Sequence, residues 1–178
     1  MATEKKIFSR GFLPPVYLVC LFTSILIFLI SSNANAGNEE LYGTWRLVSN
    51  KRQIMATGET SDLLGKVPQG FINYGPDNRM LVIIVAEKRP KPTAIEKMTD
   101  QERIELFKTM VAYGGTYTYN GKTITHQVDI SWNENWTGTF QVRNVKFEGR
   151  RLILTTNPGP NAIDGKIGIQ ILTWEKVE

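Results

Sequence analysis

The chain contains a single histidine, and the residues around it could hold or move a proton inside an apolar setting. His126 lies in the segment Lys122 to Trp132. There Ile124, His126, Val128, Ile130 and Trp132 alternate with Thr123, Thr125, Gln127, Asp129 and Ser131. A period of two is the period of a strand, which puts His126 on the apolar, interior face. Asn120-Gly121 precedes it and is a strong hairpin signal, because a type I′ turn needs φ > 0 at both central positions. A two-residue turn there pairs Tyr119 with Lys122, Tyr117 with Ile124 and Gly115 with His126. Tyr117 then stands diagonal to His126 on one face, with Gly115 leaving open space opposite the imidazole. Such a polar spot in an apolar cavity could orient a ligand or serve as an acid–base group. It could equally be structural, with the imidazole bonded to Tyr117 and a backbone carbonyl.

Gln141 and Arg143 form a second polar pair. A two-residue turn at Glu148-Gly149 sets Val145 against Leu152 and Arg143 against Leu154. Gln141, Arg143, Val145 and Phe147 then share one side, and Phe140, Val142, Asn144 and Lys146 the other. An inward Arg143 is costly unless paired, and would suit a carboxylate or enolate on a ligand. Outward, it is an ordinary solvated strand residue.

Other chemistries lack their residues. The only cysteine, Cys20, lies in an N-terminal apolar run, so the rest of the chain holds no disulfide, thiolate metal site or cysteine nucleophile. With one histidine, no zinc or copper site is expected. There is no G-x-S-x-G, H-E-x-x-H, P-loop or G-x-G-x-x-G, and no cofactor is expected. The 178 residues carry a net charge of +4. Residues 1–36 read as a signal peptide, with Lys5, Lys6 and Arg10 ahead of the uncharged run Val16 to Ile30 and then Ala34-Asn35-Ala36. Losing them removes three basic residues and Glu4, so +4 falls to +2. That is no nucleic-acid footprint. The expectation is a periplasmic or secreted protein that meets a membrane only if the leader stays uncleaved as an anchor.

The elements that must position these residues are mostly strands. Segments starting at Leu41, Gln69, Arg79, Gly115, Lys122, Thr137, Arg151 and Lys166 are rich in β-branched and aromatic residues and bounded by Gly, Pro, Asn or Asp. Residues 51–57 could add a short strand, and 58–65 read as loop. One helix is expected over 99–112. Thr99-Asp100-Gln101-Glu102 forms a capping box, Ile104, Phe107, Met110 and Val111 share a face, and Gly114-Gly115 ends it. Many short strands without a βαβ rhythm predict a sandwich or a closed barrel.

Gly43-Thr44-Trp45, opening the first strand, resembles the G-x-W signature of lipocalins. A longer ordered set of segments is similar to the lipocalin-like domain family. It comprises Leu41 to Val48, Pro68 to Tyr74 with Met80, Ala112 to Tyr117, and Thr125 to Val128. Asn135 to Thr139, Gln141 to Arg143, Leu152 to Thr155 and Trp174-Glu175-Lys176 complete it. The resemblance implies one antiparallel up-and-down barrel of about eight strands over residues 37–178, mainly β, with one inserted α-helix. It also favours an inward Arg143, through Gln141-x-Arg143. Tyr74 and Tyr113 lie in its segments and join His126, Tyr117, Arg143 and Gln141 as expected ligand-binding residues. Lys176 stands where the resemblance implies arginine, and a lysine cannot stack a planar guanidinium across Trp45. The functional expectation is a carrier of a small hydrophobic molecule. A small barrel enzyme of isomerase or cyclase type, using His126 with Tyr117 or Arg143, is the alternative, and a protein-binding module using the helix and the basic loop over residues 87–98 that leads into it is a third reading.

Overall fold

Alternation of side chains builds the sheet. In β3 (Gln69–Tyr74), Gly70, Ile72 and Tyr74 are buried while Gln69, Phe71 and Asn73 face out. β4 (Arg79–Val85) repeats this with Met80, Val82 and Ile84 inside. Each element presents one apolar face, and a curled sheet can bury all of them together. The computed structural model describes residues 38–160 and 166–177. The signal peptide expected over 1–36 lies outside these residues.

The remaining elements are β1 (Gly43–Ile54), β2 (Thr60–Asp62), α1 (Asp100–Lys108), β5 (Met110–Tyr119), β6 (Thr123–Ser131), β7 (Phe140–Glu148), β8 (Arg151–Thr156), β9 (Gly159–Pro160) and β10 (Ile167–Lys176). The strands run β1-β3-β4-β5-β6-β7-β8-β10 as antiparallel neighbours, and β10 pairs back onto β1. The result is a closed eight-strand up-and-down barrel, as expected. Closure leaves no free edge on its main strands. β2 and β9 are short additions paired to β1 and β10.

Both hairpin registers differ from expectation in the same way. The flanking pair of the first turn is Asn120 with Thr123, joined by an Asn120 N–H to Thr123 carbonyl bond, so Gly121-Lys122 is the turn. Only Gly121 takes a positive φ, 87°. Asn120 instead uses its side-chain oxygen to accept from the N–H groups of Lys122 and Thr123. The glycine thus leads the turn, and the register slides by two: Tyr119 faces Ile124, Tyr117 faces His126, and Gly115 faces Val128. At the second turn Glu148 pairs with Arg151, Val145 with Leu154 and Arg143 with Thr156. A slide of two keeps side chains on their faces, so Ile124, His126 and Val128 point inward as expected, but the bulge beyond Val128 turns Ile130 outward, 69% exposed, against expectation.

Two bulges adjust those faces. Val48 is the extra residue where β1 passes β10, so buried positions step from Trp45 and Leu47 to Asn50 and Arg52. The second sits at Gly114-Gly115, where a Cβ on Gly115 would lie 1.9 Å from the Gln127 carbonyl oxygen. Gly115 therefore marks a close backbone approach, and the open space expected opposite His126 does not exist there.

The helix is shorter than expected. Its capping box is present, with Thr99 Oγ1 accepting from Glu102 N–H and Glu102 Oε2 from Thr99 N–H. It ends at Lys108, and Met110 already pairs with Val85 in the sheet. Val111 and Tyr113 gain cross-strand partners in Ile84 and Val82, which outweigh the helical spacing of Met110 and Val111. Arg89 closes the helix by donating to the Leu106 carbonyl and Thr109 Oγ1.

Candidate functional site

The barrel interior is sealed at one end. Trp45 donates its indole N–H to the Leu41 carbonyl at 2.8 Å, and both residues are fully buried. The Lys176 ammonium stands 4.5 Å over the Trp45 ring and donates to the Tyr42 and Glu40 carbonyls. Lysine thus makes this closure by cation–π contact and two carbonyl bonds, without a guanidinium. Burial draws its pKa below the ordinary lysine value.

At the other end, toward α1, lies a cavity of about 50 Å³, counted as the space a water's centre can occupy. That is room for about three waters, and a ring-sized ligand must widen it, since a benzene ring takes a cavity of about 150 Å³. Its apolar wall includes Ile72, Val82, Ile84, Leu154 and Leu172, with Val111 and Trp136 also lining it. The polar members are Asn50, Tyr113, His126, Arg143 and Gln170.

His126 is the hub. It is 1 % exposed, with Nε2 2.9 Å from the Tyr74 hydroxyl and Nδ1 2.9 Å from the Tyr113 hydroxyl. Burial, with Arg143 adding to it, pushes the imidazole down to about 3, so it is neutral at ordinary pH. A neutral imidazole has one N–H and one bare nitrogen. Tyr74 is fully buried and, among the described residues, bonds only His126, so its proton satisfies Nε2. Nδ1 then carries the hydrogen and donates to Tyr113. Burial also raises both tyrosine pKa values, so both stay phenols.

Tyr117 does not join this triad. It stands opposite His126 in register, but its hydroxyl donates to the Gly75 carbonyl at 2.9 Å and its ring meets Tyr74 edge-on. Burial pushes its pKa up to about 12. Arg143 is inward, as expected, and half-buried on the cavity wall. It donates to the Val142 carbonyl at 2.8 Å and to Gln141 Oε1 at 3.3 Å. Gln141 is anchored in turn on Thr139 Oγ1, so it positions the guanidinium and does not itself line the cavity.

Two contributors escaped the sequence reading. Asn50 turns inward only through the bulge at Val48, and its Oδ1 accepts from Gln170 Nε2 at 2.8 Å. Trp174 lines the cavity and buries an indole N–H that has no partner among the described residues. A chain of rings joins the cavity to the helix, from Phe107 through Trp132 and Trp136 to Tyr113.

The lipocalin-like domain pattern matches residues 42–177. The chain is 32% identical over 87 residues to the 4'-hydroxy-3'-methoxypropiophenone carrier protein of Aspergillus oryzae, spanning 44% of this chain and 78% of that one. It also superposes on a lipocalin-like protein from Bacteroides uniformis with a TM-score of 0.41 and 14% identity, covering 78% of this chain and 99% of the other. Barrel, sealed tryptophan end and family match agree, and the chain belongs to the lipocalin-like domain family.

Proposed function

We propose that this protein is an exported carrier that holds a small, mostly apolar molecule in its barrel cavity. The observation that carries the reading is the cavity itself, an apolar chamber with a few convergent polar side chains at one end of a closed barrel. The similarity to a curated carrier of a single-ring phenolic ketone supports a ligand-carrying role in general. His126 favours carriage over acid–base turnover, because both of its ring nitrogens are engaged by tyrosine hydroxyls and none is left for a substrate.

Thermal melts of the chain with toluene or 4'-hydroxy-3'-methoxypropiophenone test this. Binding to the folded state alone raises Tm, by about 2.7 kcal/mol of stability at a hundredfold excess over Kd. No shift with either molecule at millimolar concentration overturns the reading. Export is tested separately by N-terminal sequencing of the protein recovered outside the cytoplasm. A start at Gly37 is expected, and a stable full-length membrane-bound form would overturn it.

A further inference from the structure

Resting on that carrier reading, we infer that the ligand is an oxygen acid. It is a single-ring or short-chain molecule whose carboxylate, or ionised enol or phenol, is held by Arg143 together with the Tyr113 hydroxyl. Three observations bear on one cavity, which Arg143, Tyr113 and Trp174 all line. Arg143 is a half-buried cation, and among the described residues no carboxylate pairs with it; its bonds go to neutral oxygens of Val142 and Gln141. A cation withdrawn from water without a counter-charge is costly, and an anionic ligand offsets that cost.

The second observation is the proton count around His126. Tyr74 satisfies Nε2 and Nδ1–H satisfies Tyr113, which leaves the Tyr113 O–H free to donate into the cavity that it lines. The third is the buried indole N–H of Trp174, a residue that lines the same cavity, with no acceptor among the described residues. Among the described residues no aspartate or glutamate lines the chamber, and Asn50 Oδ1 and Gln141 Oε1 are already occupied. The wall therefore offers spare donors and a positive charge to whatever enters, which selects an acceptor oxygen with negative charge. The small volume and the surrounding Val82, Leu154 and Leu172 restrict the remainder to a compact apolar group.

The test is calorimetric titration of the full chain with benzoate, benzamide and toluene, repeated on Arg143→Met and Tyr113→Phe. Benzamide is the neutral near-isostere of benzoate, and toluene probes the apolar chamber alone. Benzoate should bind at least about tenfold more tightly than benzamide, the range of a hydrogen bond to a charged group. Arg143→Met should bring that preference to within about twofold, and Tyr113→Phe should lower benzoate affinity about fivefold. Toluene binding with equal affinities for benzoate and benzamide overturns the acid inference and leaves the carrier reading standing. If none of the three binds, both fall. Should Arg143→Met fail to fold in a thermal melt, Arg143→Gln carries the same comparison.

Discussion

His126 bonds two buried tyrosines that sit far apart in sequence, and removing it orphans both hydroxyls at once. His126→Ala should therefore cost about 2–5 kcal/mol in a denaturant melt, since each stranded buried hydroxyl costs ~1–3 kcal/mol. The pH dependence is a separate signature. The unfolded imidazole titrates near 6.5, whereas the folded one stays neutral down to about 3. Between these values the unfolded state binds a proton that the folded state does not. Stability present above pH 6.5 is thus lost as the pH falls, at up to ~1.4 kcal/mol per unit. The stability difference between wild type and His126→Ala should shrink by about that slope from pH 6 to pH 5, before carboxylates dominate. An unchanged difference would mean that the imidazole is already protonated in the fold. Sequence periodicity identified the histidine and the parity of Tyr117, while the family resemblance favoured an inward Arg143. It could not pair His126 with Tyr74 and Tyr113, because that depends on how four strands curl toward each other.

At the level of elements, the two hairpins and two bulges decide which neighbours meet. Gly115 is the clearest case, since a Cβ there would meet the Gln127 carbonyl oxygen and the Asp129 nitrogen. Gly115→Ala should cost about 2–4 kcal/mol, in the range of overpacked sites, whereas Gly159→Ala, with nothing within 4 Å, should stay within about 0.5 kcal/mol. Equal effects at both glycines would show that the bulge yields. Lys176 gives a second contrast. Lys176→Ala should cost about 1–2 kcal/mol through the lost cation–π contact and carbonyl bonds, while Lys176→Arg should be nearly neutral. Strand existence was legible almost everywhere, because β-branched alternation survives in a single sequence. The bulge at Val48 was not, so Asn50 stayed hidden: strict alternation from Trp45 and Leu47 leads to Ser49. The start of β5 was hidden for a different reason. Met110 and Val111 satisfy helical spacing locally, and only pairing with Val85 and Ile84 turns them into strand.

The barrel as a whole is polar along its axis, with one end closed by Leu41, Trp45 and Lys176 and the cavity lying toward α1. A ligand that must reach Tyr113 and Arg143 therefore has its shortest route past Val111 and Trp136, where the cavity lining meets the helix end. The Phe107, Trp132 and Trp136 rings stand beside that route, and Phe107 is 49% exposed. Rotation of side chains there is fast, so an open path needs no unfolding of the sheet. At the other end, access would require breaking the buried Trp45 to Leu41 bond and lifting the Lys176 ammonium from the ring, which makes that path slow. Two substitutions separate these routes. Val111→Trp adds bulk at the half-buried cavity mouth and should slow toluene association at least about tenfold, read as stopped-flow quenching of tryptophan fluorescence; that factor is ~1.4 kcal/mol on the barrier. Trp45→Phe removes the Leu41 bond at the sealed end and should cost about 1–2 kcal/mol of stability, with the association rate unchanged. If Trp45→Phe accelerates association while Val111→Trp leaves it untouched, the ligand passes through the tryptophan end and the axial polarity is the reverse.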